Sequence, residues 1–440
     1  MKKRIVGLLS IILCLALVLM PGSALASGSS AKSVYLYGEQ LSTNAKAIYD
    51  ALKQIKPDTE KVTISLPDPI TTYEEYPPEL LNDVQSAMDA MLYDYPEIYW
   101  LKLGQDGCGV WFIYRKGLSG STFTGVVISI VIQDKYKNNL IQTNESLESA
   151  VENFPVSGTT RYDKVKSIHD NLCRQVEYVE NEFAHEATGS LLYGKAVCEG
   201  IAEAFKLICD YNDIPCVLVS GTGITTSAAG GSGPHMWNYV QMEDGNWYAV
   251  DVTWDDDDTG IIYNEYLLVG SNTVSAFFGD TFVGSHIESG DFSGAGIKEF
   301  HYPTLSENRY KNSTNSFEIK KDSQVYIEDE CLKGVKIGDT VESVISQFNS
   351  PVKIVNNQDV EQTGVIKTGM LLINQYEIIM ISVKYDVTGD GNFTSADLLL
   401  AKQIVLKTQT FPGAQAFAAR VVNKDRTSSL DTFKMAQDLL

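Results

Sequence analysis

The sequence predicts an α+β protein, and three observations carry that prediction. An amphipathic helix over 163–176 places Val165, Ile168, Leu172 and Val176 on one face, and a second helix starting at Cys198 places Ile201, Ala204, Phe205 and Ile208 on one face. Short β-rich runs follow: CVLVSG at 216–221, MWNYVQM at 236–242 and WYAVDVTW at 247–254. Helices followed by a small antiparallel sheet, and not a strict strand–helix alternation, are the α+β pattern.

Before that core, residues 27–145 read as an α/β lead region. TNAKAIYDALKQI at 43–55 has Ala45, Ile48, Ala51, Leu52 and Ile55 on one helical face. ELLNDVQSAMDAMLYDYP forms a second helix that begins near Pro77 and Pro78. IYWLKL, VWFIYR and TFTGVVISIVI then read as strands, and the last is too short and too β-branched to span a membrane.

The first residues are a leader. Lys2, Lys3 and Arg4 precede an apolar run from Ile5 to Met20, and Ala24, Leu25 and Ala26 form an A-x-A site. Residues 1–26 are therefore expected to be a signal peptide cut after Ala26, which makes the mature protein secreted, with no transmembrane segment. The 440 residues carry a net charge of −21 with no basic patch, so nucleic acid is excluded as a partner. Six cysteines follow the leader: Cys108, Cys173, Cys198, Cys209, Cys216 and Cys331. Their spacing matches no zinc knuckle, and most are expected to be small buried hydrophobes.

Within the core, 146–304, Cys198 stands at a helix start, where partial positive charge and free N–H groups favour a thiolate and a developing oxyanion. His235 follows a Gly/Ser/Thr/Ala stretch at 221–234 that reads as a mobile loop, and Asp251 reads as a strand residue. A cysteine nucleophile needs a base, and the base needs an orienting carboxylate; Cys198, His235 and Asp251 supply all three in that order. No organic cofactor is needed. Trp237, Trp247 and Trp254 are expected to pack in the core, and Asp255 to Asp258 to form a solvated turn. His169, His185, His286 and His301 lack zinc spacing and read as structural or surface residues. No paired-carboxylate glycosidase motif stands out.

These blocks resemble the transglutaminase-like superfamily: IHDNL at 168–172, LLYGKAVCEGIAEAF at 191–205, IPCVLVSG at 214–221, HMWNYV at 235–240 and WYAVDVTWD at 247–255. DYPEIYWL at 94–101 is similar to the lead region of secreted bacterial members. The resemblance implies a papain-like core in which Cys198 is the nucleophile, His235 the base and Asp251 the orienter. It implies thiol chemistry on peptide or protein amides, and leaves open whether water or an amine resolves the thioester. Members that have lost catalysis share the core, so an inactive peptide-binding or scaffold module of a polysaccharide-degrading complex is the alternative.

Residues 305–385 read as a small β module, with runs such as SQVYIED, CLKGVKIG and EIIMISVKY. The composition then changes, and residues 386–440 open on DVTGDGNFTSAD. This fits a calcium loop with Asp386, Thr388 and Asp390 at positions one, three and five, Gly391 at six, Thr394 at nine and Asp397 at twelve, and Asn392 giving its carbonyl. Loop and following helix resemble a type I dockerin, which implies calcium and a cohesin module of a cell-surface scaffold, as in a cellulosome. A second repeat keeps Asn423, Asp425 and Asp431 but lacks the first acid and the glycine.

Overall fold

The structure, a computed structural model, describes residues 36–101, 107–224, 231–256, 262, 264–275, 280–311, 317–328, 331–356, 360–374, 378–406, 413–421 and 427–440. The leader at 1–26, and Asn423 and Asp425, lie outside the described residues.

The lead region begins with α1 (Thr43–Leu52), β1 (Lys61–Thr72), α2 (Pro78–Asp94), β2 (Val110–Gly117) and β3 (Gly120–Ser129). Ser42 caps α1 through its side chain, which accepts from the Ala45 amide, and Pro78 starts α2 where no N–H is missed. The three strands form one antiparallel sheet in the order β1-β3-β2. The run at 98–103 was expected to be a strand, and the described part is not one. Pro96–Ile98 is a 3-10 turn, and Ile98, Tyr99 and Trp100 are buried consecutively, at 6, 5 and 2 % exposure. A pleated strand with one wet face would alternate instead.

Then come α3 (Leu140–Glu152), α4 (Arg161–Gln175), β4 (Glu177–Tyr178), β5 (Lys195–Ala196), α5 (Cys198–Tyr211), β6 (Cys216–Ile224), β7 (Ser232–Gln241), β8 (Trp247–Val250), α6 (Val252–Asp255), α7 (Phe282–Ser285) and β9 (His286–Glu288). A capping box between Thr160 and Asp163 fixes the start of α4. The apolar side of α5 is fully used: Ile201, Ala204, Phe205 and Ile208 are at most 2 % exposed, and each larger one contributes roughly 1.5–3 kcal/mol. The sheet runs β8-β7-β6-β9, all antiparallel. One hydrophobic cluster runs from Tyr37 to Phe300, so the lead region and the core share their interior.

Two expectations are corrected in this sheet. The described ends of the stretch at 221–234 are ladder, with β6 and β7 paired out to Ile224 and Ser232, and residues 225–230 lie outside the described residues. Its glycines admit neighbours that side chains would exclude, since a Cβ on Gly221 would lie 2.0 Å from the Ile287 carbonyl oxygen. Asp251 is not a strand residue. It follows β8 and caps α6, its Oδ1 accepting the Trp254 N–H at 3.2 Å.

The next unit comprises β10 (Tyr326–Glu328), β11 (Cys331–Val335), α8 (Val341–Ile345), β12 (Lys353–Val355), β13 (Leu371–Ile373) and β14 (Ile378–Val383), in a five-stranded sheet of order β10-β11-β14-β13-β12. Leu332, Val335, Val344, Ile354, Leu372 and Ile381 make its core. Last come α9 (Ser395–Leu406), α10 (Gly413–Ala418) and α11 (Ser429–Leu439), around Val387, Ala401, Ala418, Ala419 and Met435. All six described cysteines carry free thiols.

Candidate active site

Cys198 is the first residue of α5 and is half-buried, and no side chain caps the helix start. Gly200 is required there: a Cβ would lie 2.4 Å from the Ala184 carbonyl oxygen, because residues 184–186 lie against the first turn. Gly194, at φ 63°, turns the chain into β5 just upstream. Two residues before Cys198, Ala196 pairs with Tyr178 of β4. That register sets the Tyr178 phenol within hydrogen-bonding reach of the Cys198 thiol and backbone N–H.

His235 sits inside β7, stacked between the indoles of Trp254 and Trp237 at centroid distances of 5.2 and 5.8 Å. Trp237 is buried in the core as expected, whereas Trp254 also walls the imidazole. Asn238, also in β7, donates to the Ala202 carbonyl at 3.0 Å and so ties the His235 strand to the Cys198 helix. The His235 Nε2–H donates to Asp251 Oδ2 at 2.6 Å, and the Cys198 thiol is within hydrogen-bonding reach of the same ring. Burial pulls the His235 pKa down, but the Asp251 charge, its hydrogen bond and the thiol outweigh burial and push it up to about 10. Asp251 is 1 % exposed. Burial works against its charge, yet His235 and His286 hold its carboxyl well below the usual carboxylate range. The structure thus gathers Cys198, His235 and Asp251, with an imidazolium between a thiol and a carboxylate.

Sequence reasoning missed His286. It is 2 % exposed and donates its Nε2–H to the same Asp251 Oδ2 at 3.0 Å. Its only sequence signal is a lone histidine after an apolar turn, 35 positions from its partner. The ligand atoms of His235, Asp251 and His286 lie within 4.8 Å of one another, the spacing of a metal site, but two hydrogen bonds onto Oδ2 account for that closeness.

The acid run after the triad is corrected in part. Asp255 is not a solvated turn residue: it is fully buried and accepts the Tyr266 N–H at 3.0 Å and the His169 Nε2–H at 3.0 Å. Burial lowers the pKa of His169, and Asp170 with Asp255 raise it to about 9. His185 is exposed and pairs with Glu199 at 2.7 Å. Asp257 and Asp258 lie outside the described residues.

In the C-terminal loop, Asp386 is fully buried; its Oδ2 accepts the Thr368 N–H at 2.8 Å, and its Oδ1 is buried without a hydrogen-bond partner. An orphaned buried carboxylate oxygen in an all-oxygen loop suits a hard cation. Gly391, at φ 84°, makes the sharp turn. Asp397 accepts from Thr388 Oγ1 at 2.9 Å and from the Thr394 amide at 2.8 Å, while Asp390 accepts the Asn392 amide at 2.7 Å. Asp431 is buried and accepts from the Ser428 amide and hydroxyl at 2.9 and 2.6 Å, capping α11.

Residues 149–252, which include Cys198, His235 and Asp251, match the family model of the transglutaminase-like superfamily. The chain therefore carries a transglutaminase-like superfamily domain. Among solved structures it is similar to a TGase, with 16 % identity over 35 % of this chain and 49 % of that one at a TM-score of 0.21. It is also similar to a candidate cysteine protease from Cytophaga hutchinsonii, with 14 % identity over 44 % of this chain and 74 % of that one at a TM-score of 0.21. A third is the periplasmic domain of TgpA from Pseudomonas aeruginosa, with 14 % identity over 35 % of this chain and 68 % of that one at a TM-score of 0.16. The chain spans about half the length of the TGase structure. No curated protein sequence matches it. Among the described residues no helix is long and apolar enough to cross a membrane.

Proposed function

We propose that this protein is an extracellular thiol enzyme that acts on peptide or protein amides, and that its C-terminal loop and helices bind calcium and dock onto a cohesin module. The observation that carries the enzymatic reading is the 2.6 Å bond from His235 to the buried Asp251, which keeps the imidazole protonated beside Cys198. An adjacent imidazolium favours the thiolate form in which a cysteine attacks.

In the first step the Cys198 sulfur attacks the amide carbon and the carbonyl electrons move to oxygen. The N–H groups of the first turn of α5, which Val197 does not cap, favour that negative charge. His235 then gives its proton to the amide nitrogen as the C–N bond breaks, leaving a thioester and a free amine or ammonia. Asp251 holds the imidazole in the Nε2–H tautomer, so that Nδ1 serves the sulfur side. In the second step His235 takes a proton from water or from a primary amine as its oxygen or nitrogen attacks the acyl carbon, and the C–S bond breaks to release an acid or a new amide and return the Cys198 sulfur beside the protonated imidazole.

Calcium would be held by Asp386, Thr388, Asp390, Asn392, Thr394 and Asp397, where it would neutralise the buried Asp386 charge. The apolar leader at 1–26 supports export, and calcium is abundant outside the cell.

Iodoacetamide labelling of the native protein tests the site: Cys198 should react ahead of the other five thiols, and His235→Ala should abolish that preference. Equal, slow labelling of all six would refute the reading. Glutamine-containing peptides, with and without a primary amine, then separate transfer from hydrolysis by mass spectrometry.

A further inference from the structure

The four-stranded sheet brings two histidines to one carboxylate across an intervening strand. His235 pairs with Gly221 and His286 pairs with Gly223, so the two imidazoles flank β6 on the same face. Strands two apart are roughly 10 Å from each other. Yet the ring centroids are 5.7 Å apart, because Gly223 puts no side chain between them: a Cβ there would lie 3.2 Å from the His235 Cβ and 3.0 Å from the Trp254 ring.

The surroundings of His286 define its proton. It stacks on Phe282 at 4.1 Å and meets Trp254 at 4.4 Å, Trp237 at 5.0 Å and Tyr266 at 5.4 Å, an aromatic enclosure that disfavours a second cation. Burial lowers its pKa below the ordinary value, against the Asp251 hydrogen bond and charge and with the charge of His235, which favours the neutral ring with one proton. A bare nitrogen facing a carboxylate would be repelled, so that proton is on Nε2. Nδ1 lies 2.9 Å from the Ser285 hydroxyl, whose oxygen is also 3.1 Å from the Phe282 carbonyl. The other ionisable groups bearing on Asp251 are His235 from β7, Tyr178 from β4 and Tyr266 from the segment after α6.

We infer that His286 is a positioning residue of the thiol site: its Nε2–H donates to Asp251 Oδ2 and fixes the carboxylate that orients His235. Ser285, His286, Asp251, His235 and Cys198 form one chain of contacts, in which His286 touches neither substrate nor sulfur. The inference rests on the thiol-enzyme reading above. It differs from simple core packing in what it demands of the side chain, namely a neutral donor at one position in place of an apolar volume.

The two roles give opposite orders for two variants. His286→Gln keeps an N–H at the Nε2 position, whereas His286→Leu keeps the apolar volume between Phe282 and Trp254. Losing one hydrogen bond to a charged group costs about 1.5–3 kcal/mol, a roughly tenfold to hundredfold change in rate. Iodoacetamide labelling of Cys198 should therefore slow by that factor in His286→Leu and be largely restored in His286→Gln, at matched thermal stability. Equal rates in wild type and His286→Leu, or the reverse order, overturn the proposal. If His235→Ala also labels like wild type, the thiol-site reading itself fails, which is a distinct result. A measurement on the unaltered protein covers a variant that does not fold. Nitrogen-15 NMR should show His286 neutral with the proton on Nε2, and an imidazolium or a bare Nε2 overturns the proposal.

Discussion

Asp251→Asn removes the charge that keeps His235 protonated while leaving its shape and burial in place. His235 titrates at about 10 in the intact site against an ordinary 6.5, and burial on its own pulls it below 6.5. The span between those two values, at about 1.4 kcal/mol per pH unit, is about 4 to 5 kcal/mol of preference for the imidazolium. The carboxylate and the imidazolium share one interaction, which is counted once. In the variant the imidazole should lose its proton at a lower pH, and the tautomer is no longer enforced. Turnover should fall on the order of a thousandfold or more. The chain has five histidines, so nitrogen-15 histidine labelling with single substitutions assigns every ring. The His235 signal should titrate near 10 in wild type and at a lower pH in Asp251→Asn. A raised folded-state pKa means stability present in full below 6.5 and lost as pH climbs toward 10. Calorimetric stability of the wild type should therefore decline across that window, and the variant should lack this component. A His235 that titrates at about the same pH in both proteins would refute the electrostatic account.

Gly223→Ala should slow Cys198 labelling with little loss of thermal stability. Its Cβ would press within 3.3 Å of the His235 ring, and a wild-type labelling rate would show the ring has slack. Asp255→Asn takes away the carboxylate charge 3.0 Å from the buried His169 and leaves Asp170 as its charged partner, a loss of about 1.5–3 kcal/mol that calorimetry should register as a lower melting temperature. The His169 contribution is present below 6.5 and fades as pH rises toward 9, so the deficit should shrink over that range. Added calcium should raise hydrogen-exchange protection in α9, and chelation should reverse it. Protection that survives Asp386→Ala would reject Asp386 as a ligand.

The helices and most strands were legible because their apolar positions repeat at helical or alternate spacing, as in 163–176 and 216–221. Cys198, His235 and Asp251, which the fold brings to one place, stood out in the sequence because each sits in a distinctive local setting. What stayed hidden depends on contacts between distant elements. His286 acquires its role only when β9 pairs with β6, which no local pattern encodes. Asp255 looks like one of four acids in a turn until His169, 86 positions earlier, is placed against it. The ends of the glycine-rich stretch, 221–224 and 232–234, are strand and not loop because small residues also serve where neighbouring chains must come close, as at Gly221 and Gly223.

The Asp386 carboxylate is held by the Thr368 amide from the five-stranded unit, the Ser382 hydroxyl donates to the Ala414 carbonyl at 3.0 Å, and the Tyr385 amide donates to the Ala418 carbonyl at 3.0 Å. The C-terminal helices are thus stitched to that sheet on both sides of residue 386 and do not trail from it. Whatever grips α9 or α11 carries the sheet along as a lever, and a chain severed before Asp386 would leave the Thr368 amide without its acceptor.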